Sequence, residues 1–341
     1  MNGSESIRLR AIASCQPDLV VSSEEIAPAA GLDADFIKNK IGVESRAFLR
    51  SDETVTDLAS VACEKIFSLW PECKRDEIEA MVLVTQNPDY RLPHTAALVQ
   101  NRLGLSTSCA TFDINLGCSG WVYGLSVIKG FMMAEGMRNG LLVTCDPYSK
   151  IVRRDDRSTA ALFGDAATAT WMSAERGATI GRLDQGTDGS GADKLIVRNG
   201  GSVNPSGGWW SDMNVETQGR RADLEMDGGA IFNFMINRVP QSIKNCLDRN
   251  GLSFDDIDYF IFHQASRFLL DTLRKRLKLS EEKCPVYLKD VGNTVSSTIP
   301  MTLQRLMDSD SLEGKTVLIS GFGVGLSWGA NILFFGGGKN D

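Results

Sequence analysis

The sequence predicts an α/β protein built from two similar halves, and three observations carry that prediction. Short unbroken apolar runs at Ala80–Thr85, Leu141–Thr144, Tyr259–Phe262 and Thr316–Ile319 have the length and composition of strands buried on both faces. Helical patterns separate these runs, and strands alternating with helices argue α/β architecture. The chain also repeats itself once, at a nearly constant offset of about half its length.

Taken in order, the repeat begins with Asp76-Glu-Ile-Glu79 leading into the first apolar run and Asp255-Asp-Ile-Asp258 leading into the third. A helical stretch follows each, closing on Arg102-Leu-Gly-Leu105 and on Arg276-Leu-Lys-Leu279. Next come Phe112-Asp-Ile-Asn-Leu-Gly-Cys118 and Tyr287-Leu-Lys-Asp-Val-Gly-Asn293. Each runs on through an apolar helix into another strand, near Gly140 and near Gly314. The pattern predicts halves of 1–176 and 177–341 facing each other across a pseudo-twofold axis; a single doubly wound domain is the alternative. Equivalent positions then meet near the axis, which brings Gly117-Cys118 opposite Gly292-Asn293. The stretch from Asp184 to about Gly229, rich in Gly, Ser, Asp and Asn, reads as a long irregular excursion.

Composition narrows the function classes. The chain has 341 residues, enough for a large core, with 43% hydrophobic and 23% charged residues, an ordinary soluble balance. A net charge of −7 argues against a nucleic-acid binder. No apolar run approaches the roughly 20 residues needed to span a bilayer, and the first residues lack the apolar core of a signal peptide. Eight cysteines without a CxxC pair suit reduced thiols in a cytoplasmic protein, with neither a disulfide framework nor a metal site. There are two histidines, His94 and His263, so the choice of general base is narrow.

Cys118 lies in Leu116-Gly-Cys-Ser-Gly120, between a strand and the helical run Trp121 to Met133. Unpaired N–H groups and the dipole at a helix start favour a thiolate, and flanking glycines admit a substrate carbonyl. A small buried cysteine is the plainer reading. His263 ends a predicted strand, where α/β proteins place ligand-contacting groups, and an imidazole there can be a base, a donor or a core residue. His94 lacks such a setting and reads as a loop residue. Asn293 sits in Gly292-Asn293, a common turn pair, raised by its match to Cys118. Gly321-Phe-Gly-Val-Gly325 follows a strand and can cradle an oxyanion with its N–H groups; it is not a dinucleotide fingerprint, and no Walker sequence occurs.

With these residues on the page, the chain resembles the ketoacyl-acyl-carrier-protein synthase III family of the thiolase superfamily. The resemblance rests on Asp113-Ile-Asn-Leu-Gly-Cys-Ser-Gly120, His263-Gln-Ala, Gly292-Asn293 and Gly321-Phe-Gly-Val-Gly-Leu-Ser-Trp-Gly329. Ile41-Gly-Val-Glu-Ser-Arg46, Asp156-Arg-Ser-Thr159 and Phe163-Gly-Asp165 add to it. It implies a layered αβαβα thiolase-like fold and a catalytic trio of Cys118, His263 and Asn293. It also implies an oxyanion hole from the backbone N–H groups of Cys118 and Val324, and no metal or redox cofactor. In the implied reaction Cys118 takes the acyl group of an acyl-CoA or acyl-carrier-protein thioester. Malonyl-acyl-carrier protein then decarboxylates, and its carbanion attacks the acyl group to give a 3-oxoacyl thioester.

Substrate contacts are implied position by position, and several depart from the family pattern. Phe36 stands where a tryptophan often stacks on the coenzyme A adenine, and Lys40 replaces a phosphate-binding arginine. Arg157 is retained, Phe163 belongs to the same substrate-binding set, and Ser266 replaces an asparagine. Leu92 takes the place from which short-chain members present a phenylalanine to the acyl pocket across a homodimer interface. After His263, Arg267, Arg274 and Lys278 are spaced to share one helical face opposite a stripe of Leu270, Leu273 and Leu277, a docking face for an acidic carrier protein. A solvated basic face is the alternative there. Two other functions stay open: an acyltransferase passing the Cys118 acyl group to an alcohol or amine, and a non-catalytic partner subunit.

Overall fold

The computed structural model describes residues 6–203 and 223–336. The amino-terminal part supplies strands β1 (Arg8–Cys15), β2 (Leu19–Ser22), β3 (Ser45–Phe48), β4 (Ala80–Val84), β5 (Ala110–Ile114), β6 (Asn139–Cys145) and β7 (Ala167–Ser173). Its helices are α1 (Ser23–Ala30), the short α2 (Ala34–Phe36), α3 (Val55–Leu69), α4 (Thr95–Arg102) and α5 (Gly120–Glu135). Next follow β8 (Thr179–Ile180), β9 (Asp184–Thr187), β10 (Leu195–Val197), β11 (Leu224–Met226), β12 (Tyr259–Phe262), β13 (Thr316–Gly323) and β14 (Ser327–Phe334). The accompanying helices are α6 (Gly228–Asn250), α7 (Arg267–Leu277) and α8 (Thr298–Ser309).

Two main sheets result. The first has the order β1-β7-β6-β4-β5, and the second runs β12-β13-β14-β8 with β9 also on β14. In the first, β4 is parallel to β5 and β6 while β7 runs antiparallel to β1 and β6. In the second, β12 and β13 are parallel and β14 is antiparallel to β13. The series β4, β6, β7, β1 and β12, β13, β14, β8 therefore follow the same path, strand for strand.

The layers follow from where each strand sends its side chains. All of β4 is buried, and its alternate residues serve different cores. Ala80, Val82 and Val84 join Trp121, Leu125 and Ile128 of α5 together with Ile261, Val317 and Ile319 of the second sheet. Met81 and Leu83 join Leu58, Ala62 and Ile66 of α3 on the outer face. Helix α5 is apolar nearly all round because it lies between the two sheets. Helix α8 shares that middle layer, α3 and α4 cover the first sheet, and α6 covers the second with α7 against it. This is the five-layered αβαβα arrangement of the thiolase-like fold.

The excursion after Asp184 is more ordered than its composition suggests. β9 joins the second sheet, and β10 pairs antiparallel with β11 across residues 204–222, which lie outside the described part. Backbone pairing with the edge of β14, available only after the sheet forms, organises a segment whose polar residues carry no strand period. The phrase Tyr287–Val291 is the reverse case: it matches the segment around β5 in sequence but forms no strand.

Candidate functional site: a buried cysteine, histidine and asparagine

Cys118 lies on the turn just before α5, whose N-cap is Ser119. It is 6% exposed. The turn packs directly on β13, where a Cβ at Gly323 would come 2.9 Å from the Cys118 Sγ and one at Gly321 would come 2.6 Å from the Cys118 carbonyl oxygen. Only glycine permits that approach. Burial pushes the thiol up to about 12 and the Asp146 carboxylate adds to the rise, while the backbone of Cys118 and Val324 opposes it. The helix-start stabilisation of a thiolate is thus outweighed, and the resting group is a thiol. Those same two backbone positions are the ones assigned to the oxyanion hole.

His263 follows β12, and its N–H donates to the Ser320 carbonyl of β13 at 2.8 Å. Its ring makes an edge contact with Phe322, centroids 5.6 Å apart. His263 is 2% exposed, and burial pushes its pKa down to about 3, so the imidazole is neutral. Asn293 is carried by a turn in which Gly292 adopts φ 66°. Its N–H bonds to Leu162 O at 2.9 Å, and its carbonyl accepts from Gly164 N at 3.1 Å. Asn293 Oδ1 accepts from Val295 N at 2.9 Å, leaving Nδ2 facing His263 Nε2 at 3.5 Å. The Val295 side chain closes the ring, 3.4 Å from where a Cβ on Gly117 would stand. That contact sets the residue before Cys118 beside the turn that carries Asn293.

The remaining expected residues divide. Phe163 is buried beside this centre, bridged to Asn293 through the backbone and with its ring 4.9 Å from that of Tyr148. Phe36 is half exposed, while Lys40 and Arg157 are exposed. Val324 is half-buried in the loop joining β13 to β14. Leu92 is 87% exposed, so within one chain it lines no pocket. His94 is the N-cap residue of α4, its Nε2 3.0 Å from Thr111 Oγ1.

Two expectations need correction, those for Arg274 and Lys278. Ser266, proposed as a substrate contact, is buried as the N-cap of α7, and its hydroxyl accepts from Leu269 N at 3.3 Å. Arg274 does not share an open face with Arg267, because its guanidinium folds back toward the Leu279 carbonyl at 3.5 Å and Asp271 at 4.0 Å. Lys278 is past the helix, at a C-cap with φ 57°. The exposed cations around α7 are Arg267, Lys275, Arg276 and Lys278.

The sequence reading did not identify Asp146, which follows the end of β6. It is fully buried, accepts from Gln86 N at 2.6 Å and from the Ser296 hydroxyl, and burial pushes its pKa up to about 6. Its signal was its place at a strand's carboxyl end, the same signal that singled out His263. Tyr148, whose hydroxyl donates to Gln86 Oε1 at 2.9 Å, was missed because it reads as an ordinary core aromatic.

Comparison with known proteins agrees with this architecture. Residues 112–189 match the family model described as 3-oxoacyl-[acyl-carrier-protein (ACP)] synthase III, and residues 247–335 match its C-terminal model. A beta-ketoacyl-[acyl-carrier-protein] synthase III of Streptococcus sanguinis is 32% identical over 329 residues, covering 96% of this chain and 98% of the relative. A solved 3-oxoacyl-(acyl-carrier-protein) synthase III superposes with a TM-score of 0.89 at 38% identity, covering 97% and 100% of the two chains. A 3-oxoacyl-(acyl-carrier protein) synthase of Burkholderia xenovorans gives 0.87 at 35% identity, covering 97% and 94%. A chain that aligns along nearly its whole length at this identity, with these residues gathered at one buried centre, belongs to the 3-oxoacyl-acyl-carrier-protein synthase III family.

Proposed function

We propose that this chain condenses an acyl thioester with malonyl-acyl-carrier protein, releasing CO₂ and giving a 3-oxoacyl thioester through an acyl-Cys118 intermediate. The observation that carries the reading is the setting of Cys118: a buried thiol just before a helix start, packed on the Gly321–Gly323 stretch of β13 that leads into Val324. The backbone N–H groups of Cys118 and Val324 are proposed to stabilise the oxyanion formed when the thiol attacks a thioester. Asn293 Nδ2 and His263 Nε2 share one side of the centre, suited to the thioester oxygen on which enolate charge develops during decarboxylation. The chain's own groups thus account for each charge, and the reading calls for no metal or redox cofactor.

The exposed Phe36, Lys40 and Arg157 are proposed to meet the coenzyme A or phosphopantetheine carrier, with the cations around α7 meeting an acidic carrier protein. Sheets of matching strand order support reading 1–176 and 177–341 as repeated halves. A homodimer is proposed from exposed Leu92, and a reducing cytoplasm from eight buried free cysteines. Among the described residues no helix is long and apolar enough to cross a membrane.

Intact-mass measurement after incubation with acyl-CoAs and acyl-carrier proteins tests the nucleophile. Wild type should gain one acyl group and Cys118→Ala none, with an unchanged circular dichroism spectrum. An adduct persisting on Cys118→Ala would remove the assignment. Supplying malonyl-acyl-carrier protein to the acylated enzyme should then release a 3-oxoacyl product; transfer to an alcohol or amine without CO₂ would replace the reaction by acyl transfer.

A further inference from the structure

Two buried residues beside the catalytic centre have no part in the reaction as described, and both belong to the turn that opens α8. Val295 is β-branched yet has φ 54°, in the left-handed region that such residues rarely occupy. Its backbone serves both catalytic partners. The N–H donates to Asn293 Oδ1 at 2.9 Å, and the carbonyl accepts the Thr298 hydroxyl at 2.9 Å. Thr298 Oγ1 in turn lies 2.8 Å from His263 Nδ1.

A hydroxyl has one proton to give. With that proton on the Val295 carbonyl, Thr298 Oγ1 offers the imidazole only lone pairs, so Nδ1 carries the ring hydrogen. The other side of the ring agrees. Asn293 Oδ1 is held by Val295 N–H, so the group facing Nε2 is the amide Nδ2, which only donates. A donor there matches a lone pair on Nε2. An acceptor at Nδ1 is compatible with two forms of the ring: neutral with Nε2 bare, or charged with both nitrogens protonated. It disfavours the neutral ring with its hydrogen on Nε2.

We infer that Thr298, held by Val295, is a positioning residue that confines His263 to these two forms, the neutral one serving acylation and the charged one serving decarboxylation. The inference rests on the condensing reaction proposed above. In acylation the Cys118 sulfur bonds to the acyl carbon as its proton passes to Nε2. The tetrahedral adduct then breaks its bond to the carrier sulfur, which leaves as a thiol with that proton. The malonyl thioester next brings an anion into the site, and a solvent proton on Nε2 pairs with it. Nε2–H and Asn293 Nδ2–H donate to the thioester oxygen while the bond to CO₂ breaks and its electron pair forms the enolate. The enolate carbon bonds to the acyl carbon, the Cys118 sulfur leaves, and it takes the Nε2 proton. One proton is consumed, and the thiol and neutral imidazole are restored.

The surroundings leave this titration to the substrate. His263 faces the Phe322 ring from β13, the Asn293 amide, the Thr298 hydroxyl and the Val295 backbone. The titratable groups around the centre are the Cys118 thiol, the Tyr148 phenol, which burial keeps protonated, and Asp146, whose carboxylate is bound to Ser296 and acts on Cys118. Burial alone holds the ring neutral before the malonyl anion arrives.

The test follows the two half-reactions of the intact enzyme against pH, with acyl-CoAs for self-acylation and malonyl-acyl-carrier protein for CO₂ release. Between about pH 5 and 8, acylation should be flat while decarboxylation falls as pH rises, approaching about tenfold per pH unit. Thr298→Val should slow acylation by about tenfold or more and flatten the decarboxylation profile, since the ring can then place its hydrogen on Nε2. Thr298→Ser should restore both. With two histidines in the chain, ¹⁵N-histidine spectra compared with His94→Gln isolate His263, whose resting ring should be protonated on Nδ1. A resting proton on Nε2, or parallel pH profiles in an enzyme that does acylate, overturns the inference. Failure to acylate at all refutes the reaction instead, with the spectrum still deciding the form of the ring. If Thr298→Val does not fold, the wild-type profiles and spectrum decide alone.

Discussion

Burial sets the protonation of Cys118, His263 and Asp146, and it moves them in different directions. His263 falls to about 3, whereas Cys118 rises to about 12 and Asp146 to about 6. Each shift has a consequence for stability. Below the ordinary histidine range the unfolded chain takes up a proton that folded His263 refuses, so its contribution is lost as pH falls from 6.5 toward 3. Asp146 acts in the opposite sense: the unfolded carboxyl ionises first, so its contribution is lost as pH rises from 3.8 toward 6. Removing the imidazole should isolate the first effect. Relative to His263→Gln, wild type should lose up to about 1.4 kcal/mol of stability per pH unit between about pH 6 and 4. Denaturant titrations of both proteins across that range measure it; a pH-independent difference would mean that His263 is protonated in the folded state.

Among the elements, α7 best separates local structure from ligand binding. It begins at Ser266, whose side chain accepts one of the unpaired N–H groups of the first turn, and it buries Leu270 and Leu273. Its end is sealed by Lys278 in the left-handed conformation, with its N–H on Arg274 O and Lys275 O. An N-cap serine is worth about 1 kcal/mol. Ser266→Ala should therefore lower the unfolding free energy by about that amount, while the KM for acyl-CoA stays unchanged. A large rise in KM with unaltered stability would instead make Ser266 a substrate contact. The cap was legible, since a serine just before an amphipathic run is a helix-start signal.

For the molecule as a whole, the exposure of Leu92 matters most. It stands 87% exposed in a loop that also exposes Tyr90 at 60%. Single exposed apolar residues are common, but two in one loop suit a surface covered by a second subunit. A closed C₂ dimer is the expected assembly, read by light scattering at micromolar concentration. If Leu92 reaches the partner's acyl pocket, Leu92→Phe should shift the preferred acyl chain to shorter lengths. Each buried methylene is worth about 0.8 kcal/mol, up to roughly fourfold in binding. An active monomer, or an unchanged chain-length profile, would refute this role.

Features that depend on local pattern were determined by the sequence itself. The apolar runs that became β4, β6, β12 and β13 declare themselves because a strand between two layers must be apolar on both faces. The glycines around Cys118 and before Asn293 mark close approach and positive φ, which few other residues tolerate. Contacts between distant segments had no such mark. β9 to β11 form from a polar stretch because β14 and a mutual pairing supply hydrogen-bond partners, and Arg274 turns inward because the Leu279 carbonyl and Asp271 lie within reach. The form of His263 depends on where Thr298, across from the end of β12, sends one proton. Its pKa depends on how completely the two sheets exclude water from the ring, because the cost of a buried charge is a property of the surrounding medium. Residue types and spacing could nominate the thiol, the imidazole and the amide; only packing decided their protonation.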